Sequence, residues 1–374
     1  MKYFIIAGEP SGDLHGSNLT RGIISADPEA QILCWGGELM QSAGGTILMH
    51  YKKLAFMGFV SILLNIRTIA KNMSVCKEQI SEHKPDVVIL IDYPGFNLRI
   101  AKFVKCLGIR VFYYISPKIW AWKESRIKKI RSYVDKMYII FPFEVDFYRK
   151  HNIEVEYHGN PLVDEIERKK LAFSSHTDLR KSLDINDRPV IALLAGSRSQ
   201  EVKHVLPEML KVVKYFPEYQ FVLAGVRHLP ESLYRKIIQN GPIKLVSGKT
   251  YEILYLADAA LVTSGTATLE TALIGTPQVV CYKADFFSIL IAWMVVKVKY
   301  ISLVNLIMGF EVIKELVQYD LKKNSLLMEL KSIVRGGGKR EKILKDYESL
   351  KKKLGPAGAS VRIASDMVSS LKNR

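Results

Sequence analysis

Cysteine is scarce in this sequence, and the spacings that bind metal ions are missing. The four cysteines are scattered along 374 residues without a Cys-x-x-Cys pair, so neither a disulfide framework nor a zinc site is expected, and a reducing cytosol fits this usage. The eight histidines form no His-Glu-x-x-His pair, and Asp-x-Asp does not occur. We therefore expect no metal ion and no cofactor.

Long hydrophobic runs are also absent, although two shorter runs occur. Residues 54–66 and 286–296 are apolar and are followed by basic residues, but neither run has the roughly 20 apolar residues that span a bilayer. Both can be buried core segments. For the second run, burial in a core and contact with a membrane are equally favoured. For the first, the basic flank favours a surface that contacts acyl chains or the membrane interface. The residues expected at this surface are Phe56, Met57, Phe59, Val60, Leu63, Arg67 and Lys71.

Acidic residues are too few to balance the basic ones. The sequence has 54 Lys and Arg against 37 Asp and Glu, a net charge of +17, which attracts an anionic polymer or surface. It shows no RNP-type strand, helix-turn-helix pattern or Cys/His finger. We therefore expect an anionic membrane surface, not nucleic acid, as the partner. The N-terminus enters a strand without a signal-peptide pattern, so we expect a cytoplasmic, peripheral location.

The length favours two domains, because 374 residues exceed what one hydrophobic core usually organises. Apolar strands alternate with helical segments in both halves, which predicts an α/β fold with doubly wound parallel sheets. The predicted strands are 2–7, 31–35, 86–91, 110–115, 136–140, 154–158, 189–195, 220–224, 243–246, 259–263 and 278–282. The predicted domains are 1–165 and 189–325, with a linker at 166–188. C-terminal helices at 326–374, the last of them amphipathic, are expected to pack back on the first domain.

Both predicted domains open with an apolar strand, a turn of small residues and a helix. The first turn lies in Gly8-Glu-Pro-Ser-Gly-Asp-Leu-His-Gly16, and the second contains Gly196, Ser197 and Arg198. Such a turn directs backbone N–H groups and the positive end of a helix dipole at its loop, where a phosphate can bind. Two such turns suggest nucleotide-binding-type domains that face one cleft. Arg198 can add donors to a pyrophosphate, or it can be a plain surface charge.

The most specific motif is Thr263-Ser-Gly-Thr-Ala-Thr-Leu-Glu270, at the carboxyl end of a predicted strand. Ligands of open α/β sheets bind in the crevice at such strand ends. Gly265 allows a ligand close to the backbone, and Thr266 and Thr268 can donate hydrogen bonds. Glu270 can accept them from ribose hydroxyls. The alternative is an ordinary capped helix with a solvent-exposed glutamate, which is less favoured because capping does not need so many small hydroxyl residues.

Asp92 is the best candidate for a general base. It follows the predicted strand 86–91 and precedes Tyr93-Pro-Gly-Phe-Asn97. A carboxylate at a strand end before a Pro-Gly turn would point into the cleft. The alternative is an Asx-turn residue, which is common before proline.

Seven segments, in order over most of the chain, resemble the lipid-A-disaccharide synthase family. They are Gly8-Glu-Pro-Ser-Gly-Asp-Leu-His-Gly16, Ile91-Asp-Tyr-Pro-Gly-Phe-Asn-Leu98, Tyr114-Ile-Ser-Pro-Lys-Ile-Trp-Ala-Trp122, Phe141-Pro-Phe-Glu144, Gly196-Ser-Arg198 with Glu201, Ser264-Gly-Thr-Ala-Thr-Leu-Glu270 and Leu303-Val-Asn305. The resemblance implies an inverting glycosyltransferase of the GT-B type, with two Rossmann-like domains and the donor in the C-terminal one. It implies that UDP-2,3-diacylglucosamine and 2,3-diacylglucosamine 1-phosphate (lipid X) give a β(1→6) disaccharide phosphate and UDP.

The resemblance also implies roles for individual residues. Asp92 would deprotonate the acceptor 6-hydroxyl, and UDP would leave into a site built by Arg198, the threonines after Gly265 and Glu270. Asn305 would be a further catalytic or donor-site residue.

On the N-terminal side of the cleft, the resemblance places Ser11 and Gly12 as lining residues. Acyl chains of both substrates would account for the apolar run at 54–66, and the anionic inner leaflet would account for the positive charge. The C-terminal helices would be able to exchange between the subunits of a homodimer.

The sequence departs from the family pattern at three positions. The family often has an acidic residue at the position of Gly95 and proline at the positions of Ala195 and Val304. The missing carboxylate leaves Asp92 without an alternative base, and the missing prolines change loop stiffness.

Three other functions stay open. A transferase to a polyprenyl-linked acceptor would be expected to have a Gly-Gly-x-Gly-Gly turn at 8–16. A UDP-sugar epimerase should lack the basic-flanked apolar runs. A membrane-associated nucleotide binder without catalysis would tolerate the loss of Asp92.

Overall fold

The computed structural model describes residues 1–54, 66–120, 124–173, 175–239, 241–284 and 299–372. Its strands are β1 (Lys2–Ala7), β2 (Gln31–Gly36), β3 (Thr46–His50), β4 (Val87–Ile91), β5 (Arg110–Tyr114), β6 (Lys136–Ile139), β7 (Glu156–Tyr157), β8 (Val190–Leu194), β9 (Gln220–Gly225), β10 (Ile243–Ser247), β11 (Ala257–Thr263), β12 (Gln278–Tyr282) and β13 (Glu315–Val317). Its α-helices are α1 (Pro10–Ala26), α2 (Glu38–Ser42), α3 (Ile66–His83), α4 (Pro94–Cys106), α5 (Ile127–Tyr133), α6 (Phe143–Arg149), α7 (Pro161–Leu171), α8 (His176–Ser182), α9 (Ser199–Leu210), α10 (Glu231–Ile238), α11 (Thr250–Leu256), α12 (Thr266–Ile274), α13 (Leu303–Met308), α14 (Lys323–Ile333), α15 (Arg340–Leu354) and α16 (Ala359–Lys372). Short 3-10 helices lie at Tyr51–Lys53, Glu124–Arg126, Val213–Tyr215 and Gln318–Asp320.

The chain forms two compact units. The first unit contains Met1–Asp164 and Gly355–Arg374, and the second contains Glu165–Leu354. The segment expected to be a linker, 166–188, belongs to the second unit, where it includes α8. Of the expected C-terminal helices, α14 and α15 belong to the second unit and only α16 belongs to the first.

The first unit is built on a seven-stranded sheet in the order β3-β2-β1-β4-β5-β6-β7, and every neighbouring pair is parallel. All five residues of β4 are apolar and buried. Because successive side chains of a strand point to opposite faces, both faces of this sheet are covered. The core of the unit surrounds these central strands and includes Phe4, Trp35 and Tyr113.

The second unit repeats the plan with six parallel strands in the order β10-β9-β8-β11-β12-β13. This is the order of a dinucleotide-binding sheet, in which the direction of winding reverses between the first and fourth strands. The reversal falls between β1 and β4 in the first unit and between β8 and β11 in the second. Each unit therefore has a crevice at the carboxyl ends of these two strands, where ligands of such sheets bind.

All eleven predicted strands are confirmed, with ends that differ by up to two residues. Two observed strands were not predicted, β3 and β13. Both lie at the edge of a sheet, and neither is an uninterrupted buried run: β3 is mostly half-buried and β13 has only three residues. Edge strands lack the continuous apolar pattern that identifies central parallel strands.

The predicted amphipathic helix at 359–371 is confirmed as α16, and it packs on α1 within the first unit. The two helices approach closely, because a Cβ added at Gly22 of α1 would lie 2.7 Å from the Cβ of Ala364. The Asp164 carboxylate accepts hydrogen bonds from the backbone N–H groups of Gly358, Ala359 and Ser360. It thereby caps the N-terminus of α16 and ties the last helix to the end of the N-terminal segment.

Candidate active site

The crevice of the first unit lies between the turn after β1 and the turn after β4. These strands are parallel neighbours, and Ala7 is paired with Ile91, so Gly8 and Asp92 follow at adjacent strand ends. Gly8 lies against the ring of Tyr93, since an added Cβ would come within 2.6 Å of two ring carbons. Only glycine allows this close approach.

Asp92 has an unusual backbone conformation that is held by its neighbours. Its φ is +43° and that of Tyr93 is +46°, a left-handed conformation that non-glycine residues rarely adopt. The Asp92 carbonyl accepts hydrogen bonds from Asn97 Nδ2 (2.8 Å) and the Tyr113 hydroxyl (2.5 Å). Its N–H donates to the Tyr114 carbonyl at 3.1 Å. Strained residues that are fixed in this way cluster at functional sites.

The Asp92 carboxyl is half-buried, and its pKa is raised. Burial raises its pKa to about 6, against the opposing positive charge of Lys118, while the carboxylate of Glu9 raises it further. A carboxylate with a pKa near the working pH is suited to accept a proton from a substrate. Its position at the strand end and its raised pKa make Asp92 a candidate for a general base.

The other predicted residues at this crevice lie in the first turn of α1. Ser11 is exposed and Gly12 is buried, and an added Cβ at Gly12 would come 3.2 Å from the Cβ of Ala7. Pro10 at the first helical positions removes an N–H that no helical partner could accept.

Two buried carboxylates in the resembling motifs had no predicted role. Asp13 accepts hydrogen bonds from the N–H groups of Gly37, Leu39 and Met40, and so anchors the loop after β2 and the start of α2. Glu144 accepts from Trp120 Nε1 and from a backbone N–H, both at 3.1 Å, and burial raises its pKa to about 7. Acidic residues in otherwise apolar helix faces are the sequence signal that could have identified both.

The predicted acyl-chain surface is only partly described. Phe56, Met57, Phe59, Val60 and Leu63 lie outside the described residues, as does 286–296. Arg67 and Lys71 are exposed on α3. The run begins beside the Asp92 turn, because the Tyr93 hydroxyl donates to the carbonyl of Leu54 at 2.9 Å. Over the described ranges, no helix is both long and apolar enough to cross a bilayer.

The crevice of the second unit lies between the turns after β8 and β11, which are parallel neighbours. In the first turn, Gly196 has φ +112° and lies against the Glu201 side chain, 2.6 Å from the position of an added Cβ. The Glu201 carboxylate accepts from the N–H groups of Ser197 (2.9 Å) and Arg198 (3.2 Å). The turn therefore directs two donors at one anionic oxygen, as predicted for a phosphate, but here an internal carboxylate caps the helix.

Arg198 is the exposed charge of this turn. Its side chain is 72% exposed, and its guanidinium lies 3.5 Å from Glu201 Oε1. The ring of His228, from the loop after β9, contacts the Ser197 carbonyl at 2.8 Å and steadies the turn. The sequence did not indicate His228, because its position depends on the pairing of β8 with β9.

In the turn after β11, Gly265 opens space for a ligand. It has φ +154°, and no atom lies within 4 Å of an added Cβ. Thr266 is exposed at the start of α12. Ser264 is tied down, because its hydroxyl donates to the carbonyl of Ile301 at 2.8 Å.

Thr268 and Glu270 differ in what they can offer a ligand. The Thr268 side chain is fully buried, and its hydroxyl donates to the Gly265 carbonyl at 2.8 Å, so it shapes the turn and has no donor left for a ligand. Glu270 is half-buried and accepts from the Tyr251 hydroxyl at 2.9 Å. Burial raises the pKa of Glu270, and its other oxygen can still accept from a ligand.

Asn305 holds the loop behind the Ser264 turn. Its Nδ2 donates to Ile313 O and Glu315 Oε1, and its Oδ1 accepts from the N–H groups of Val312 and Ile313. These four bonds use the full hydrogen-bonding capacity of a buried amide. The Asn305 amide therefore holds this loop, and its expected role at the donor site or in catalysis stays a prediction.

Within the described ranges, no cluster of three or more His, Cys, Asp or Glu side chains is arranged to hold a metal ion. Charged groups at the two crevices include Asp92, Glu9 and Lys118 in the first unit and Arg198, Glu201 and Glu270 in the second. The first set can move a proton, and the second can bind an anion and hydroxyl groups.

Comparison with known proteins gives strong matches along the chain. The model of a family described as lipid-A-disaccharide synthetase matches residues 3–363. The lipid-A-disaccharide synthase of Syntrophus aciditrophicus is 38% identical, over 96% of this chain and 95% of that protein. The enzyme of Myxococcus xanthus is 34% identical, over 99% and 97%, and that of Coxiella burnetii is 35% identical, over 96% of each.

Solved structures share the fold at low sequence identity. The UDP-GlcNAc 2-epimerase of Neisseria meningitidis, bound to UDP-GlcNAc, has a TM-score of 0.70 at 11% identity and covers 99% of this chain and 100% of its own. The UDP-GlcNAc 2-epimerase of Methanocaldococcus jannaschii, in complex with UDP-GlcNAc and UDP, has a TM-score of 0.63 at 14% identity, with the same coverage. At such identities the similarity concerns the fold alone.

Two Rossmann-like units, each with a ligand crevice where its winding reverses, define a two-domain α/β protein of the GT-B type. The motifs carry the assignment further than the fold does. The chain belongs to the lipid-A-disaccharide synthase family, and it is a hexosyltransferase of lipid A synthesis.

Proposed function

We propose that this glycosyltransferase condenses UDP-2,3-diacylglucosamine with lipid X to form the β(1→6) disaccharide 1-phosphate and UDP. The proposed mechanism is a metal-independent inverting displacement with Asp92 as the general base. Family membership supports the pairing of a UDP-sugar with an acylated glucosamine phosphate. The residue roles are supported by the geometry of the two crevices.

The observation that carries the proposal is the Asp92 turn. Two consecutive left-handed residues, held by the Asn97 amide and the Tyr113 hydroxyl, present a half-buried carboxylate at the strand end. Its raised pKa, about 6, allows it to be ionised at neutral pH and still accept a proton. A purely structural Asx turn would not need this strained backbone.

The proposed reaction moves one proton and exchanges one bond. As the acceptor 6-oxygen approaches the anomeric carbon, Asp92 takes its proton. The new C–O bond forms on the face opposite the nucleotide, which inverts the configuration, and the bond from the anomeric carbon to the UDP oxygen breaks. UDP leaves with the electron pair, and Asp92 then releases its proton to water.

We place the leaving UDP at the crevice of the second unit. Arg198 and the N-terminus of α9 would offset the charge that develops on the diphosphate. Thr266 and Glu270 would bind the nucleotide, and Gly265 would leave room for it. Gly196, Ser197, Thr268 and Asn305 would shape the two turns, with Glu201 giving up its N–H partners to the phosphate.

We place the acceptor at the crevice of the first unit. Ser11 and Gly12 would line its polar part near Asp92. Its acyl chains would contact the run at 54–66, which starts next to the Tyr93 hydroxyl. Arg67 and Lys71, both exposed, are suited to bind its phosphate or anionic headgroups.

The same charges support a peripheral position on an anionic membrane surface, on the cytoplasmic face of the inner membrane. The excess of basic residues, +17 overall, would strengthen this attachment. A homodimer stays a prediction.

The experiment that tests the function measures UDP release from UDP-2,3-diacylglucosamine in detergent with EDTA, with and without lipid X. We expect release only when lipid X is present. Acceptor-independent release would contradict the assigned acceptor. Release that requires magnesium would refute the metal-independent mechanism. Absence of release under both conditions would refute the proposed reaction.

A further inference from the structure

The second unit contains an apolar groove that the reaction does not use. Its volume is about 670 Å³, within the roughly 300–1,000 Å³ of small-molecule sites. Its walls come from the end of α9, the segment before β9, the end of α10 and the segment before β10. The apolar side chains at the groove include Leu210, Val213, Phe216, Tyr219, Phe221 and Ile238.

The groove lies at the amino ends of the strands. Tyr219 and Pro242 directly precede β9 and β10, whereas Gly196 and Gly265 follow β8 and β11, at the carboxyl ends of the strands of the same sheet. Because all strands of this sheet are parallel, their amino ends and their carboxyl ends are a full strand length apart. The groove is therefore separate from the crevice proposed for UDP.

Four cations surround the groove, and they come from distant parts of the sequence. They are Arg188, Lys211, Lys214 and Lys323, and all four are exposed. None of the described residues that line the groove is acidic. Lys211 is paired with Glu208 on the same helix, so the net positive charge of the groove comes chiefly from the other three.

Lys214 and Lys323 both lie near Tyr215 at the rim. Their ammonium groups lie 5.3 Å and 5.8 Å from the centre of the same Tyr215 ring. Both cations therefore lie near the same exposed side chain, and each can donate hydrogen bonds to an anion beside it. Tyr215 itself is 37% exposed, which extends the apolar surface to the rim.

This combination selects an anionic amphiphile. The buried aromatic and aliphatic floor provides a place for a hydrocarbon chain, because burying apolar surface away from water is favourable. The paired lysines at the rim match a phosphate next to that chain. A soluble anion would use the cations but not the floor.

We infer that the groove binds an acyl chain of an anionic phospholipid from the bilayer, with the lipid phosphate held by Lys214 and Lys323. The occupant is a phosphatidylglycerol-type lipid and not a sugar substrate. This site gives the second unit its own contact with the membrane. The inference rests on the groove alone and does not depend on the proposed reaction.

Photocrosslinking tests this site. The full chain is mixed with phosphatidylcholine vesicles that contain phosphatidylglycerol with a diazirine in its acyl chain, irradiated and digested for peptide mapping. We expect crosslinks at 210–221 and 238–243. In the double variant Lys214→Glu/Lys323→Glu these crosslinks should fall at least roughly tenfold, because two attractive charges become repulsive.

Two further variants serve as controls. Lys214→Arg/Lys323→Arg keeps both charges and should keep the crosslinks. Lys342→Glu/Lys345→Glu changes the charge equally at exposed positions on α15 of the same unit and should also keep them. UDP release in detergent should be unchanged in all variants, which shows that they are folded.

Three results would overturn the inference. The first is the absence of crosslinks at the groove when other peptides are labelled. The second is an equal yield with diazirine-phosphatidylcholine, which would remove the role of charge. The third is an equal loss in the control with altered α15 lysines, which would reduce the effect to overall charge.

Discussion

The carboxylate of Asp92 depends on its backbone as much as on its surroundings. A left-handed residue that is not glycine is tolerated best when it is Asn or Asp. Replacement by asparagine therefore removes the charge and keeps the turn, whereas alanine would disturb both. This makes Asp92→Asn the most informative single substitution in the chain.

For Asp92→Asn we expect kcat/KM to fall about 10²- to 10⁴-fold, the usual contribution of a general base, with UDP affinity unchanged. In the unaltered protein, kcat/KM should rise with pH through about 6, where the carboxyl loses its proton. The variant should lack this limb. Steady-state kinetics across pH and UDP titration calorimetry measure these effects.

The same substitution has a predicted effect on stability. Burial raises the folded-state pKa of Asp92 from the usual 3.8 to about 6, so the favourable contribution of the protonated form is present below about pH 4 and is lost as pH rises through about 6. The free energy of unfolding of Asp92→Asn, relative to that of the unaltered protein, should therefore be up to about 3 kcal/mol higher at pH 8 than below about pH 4. Asp146→Asn, in an exposed pair with Arg149, is the control. Loss of activity in that control, or full activity of Asp92→Asn, would reject the assigned base.

Arg198 is the residue for which UDP affinity is decisive. Arg198→Ala should weaken UDP binding about 10- to 100-fold, because a hydrogen bond to a charged group contributes roughly 1.5–3 kcal/mol. The UDP affinity of Arg198→Lys should lie between that of Arg198→Ala and that of the unaltered protein, since lysine keeps the charge but cannot donate two parallel hydrogen bonds. Arg235→Ala, another exposed helix arginine of the second unit, should have no effect. Equal UDP affinity in Arg198→Ala and Arg235→Ala would remove Arg198 from the site.

At the scale of elements, the two turns of the first crevice restrict each other. Gly8 follows β1, and a Cβ added to it would lie 2.6 Å from the Tyr93 ring. A Cβ added to Gly95, in the first turn of α4, would have no atom within 4 Å. We expect Gly8→Ala to cost about 1–3 kcal/mol of stability and to lower kcat by displacing the Asp92 turn. Gly95→Ala should increase the free energy of unfolding by about 0.5 kcal/mol, because alanine favours a helix more than glycine does. Thermal unfolding and turnover are measured for both variants. Unchanged stability and turnover in Gly8→Ala would show that the turn adapts to the added methyl group.

The loop behind the second crevice depends on α13. Asn305→Asp would remove the amide donor to Ile313 O and place a second carboxylate beside Glu315, so we expect a loss of about 2–4 kcal/mol and weaker UDP binding. Ser264→Ala removes only the bond to Ile301 and should weaken UDP binding with less than about 1 kcal/mol of destabilisation. Chemical denaturation and UDP titration separate the two effects. If neither variant changes UDP affinity, Asn305 serves stability alone.

At the scale of the whole molecule, the chain leaves the first unit after Asp164 and returns to it at Gly355. Asp164 links the two passages by accepting three N–H bonds at the start of α16. Asp164→Ala should destabilise the first unit by about 2 kcal/mol and increase hydrogen exchange across 359–372. Asp178→Ala, on the short helix α8, should leave this exchange unchanged. Unchanged exchange in Asp164→Ala as well would show that packing on α1 alone holds α16.

Much of the fold could be predicted because its information is local. Buried parallel strands are short apolar runs, and small-residue turns follow them, so β1, β4, β8 and β11 were predictable. The strand order is typical of this alternation. The turns at Gly8, Gly196 and Gly265 and the base candidate Asp92 were predictable for the same reason, since the carboxyl ends of strands are where ligands bind.

The division of the chain into units was less predictable. Helices α14 and α15 are basic and amphipathic in the same way as α16, and no local pattern tells which sheet each will cover. Their placement depends on which apolar surface is left open after the sheets form. The edge strands β3 and β13 were missed for a related reason, because a half-buried strand carries little pattern.

The α/β class, the turns that form the two crevices and the family were predictable from the sequence, because they depend on local periodicity and on motifs that neighbouring residues carry. Which polar groups have unused hydrogen-bonding capacity depends on the folded structure. Thr268 and Asn305 have the right chemistry, but their hydrogen bonds are used internally. The Asp92 carboxyl, in contrast, has a pKa that is raised by burial. Desolvation comes from residues far away in the sequence. The hydrogen bonds of Thr268 and Asn305 reach partners only three to ten positions away, but they too exist only after the chain has folded.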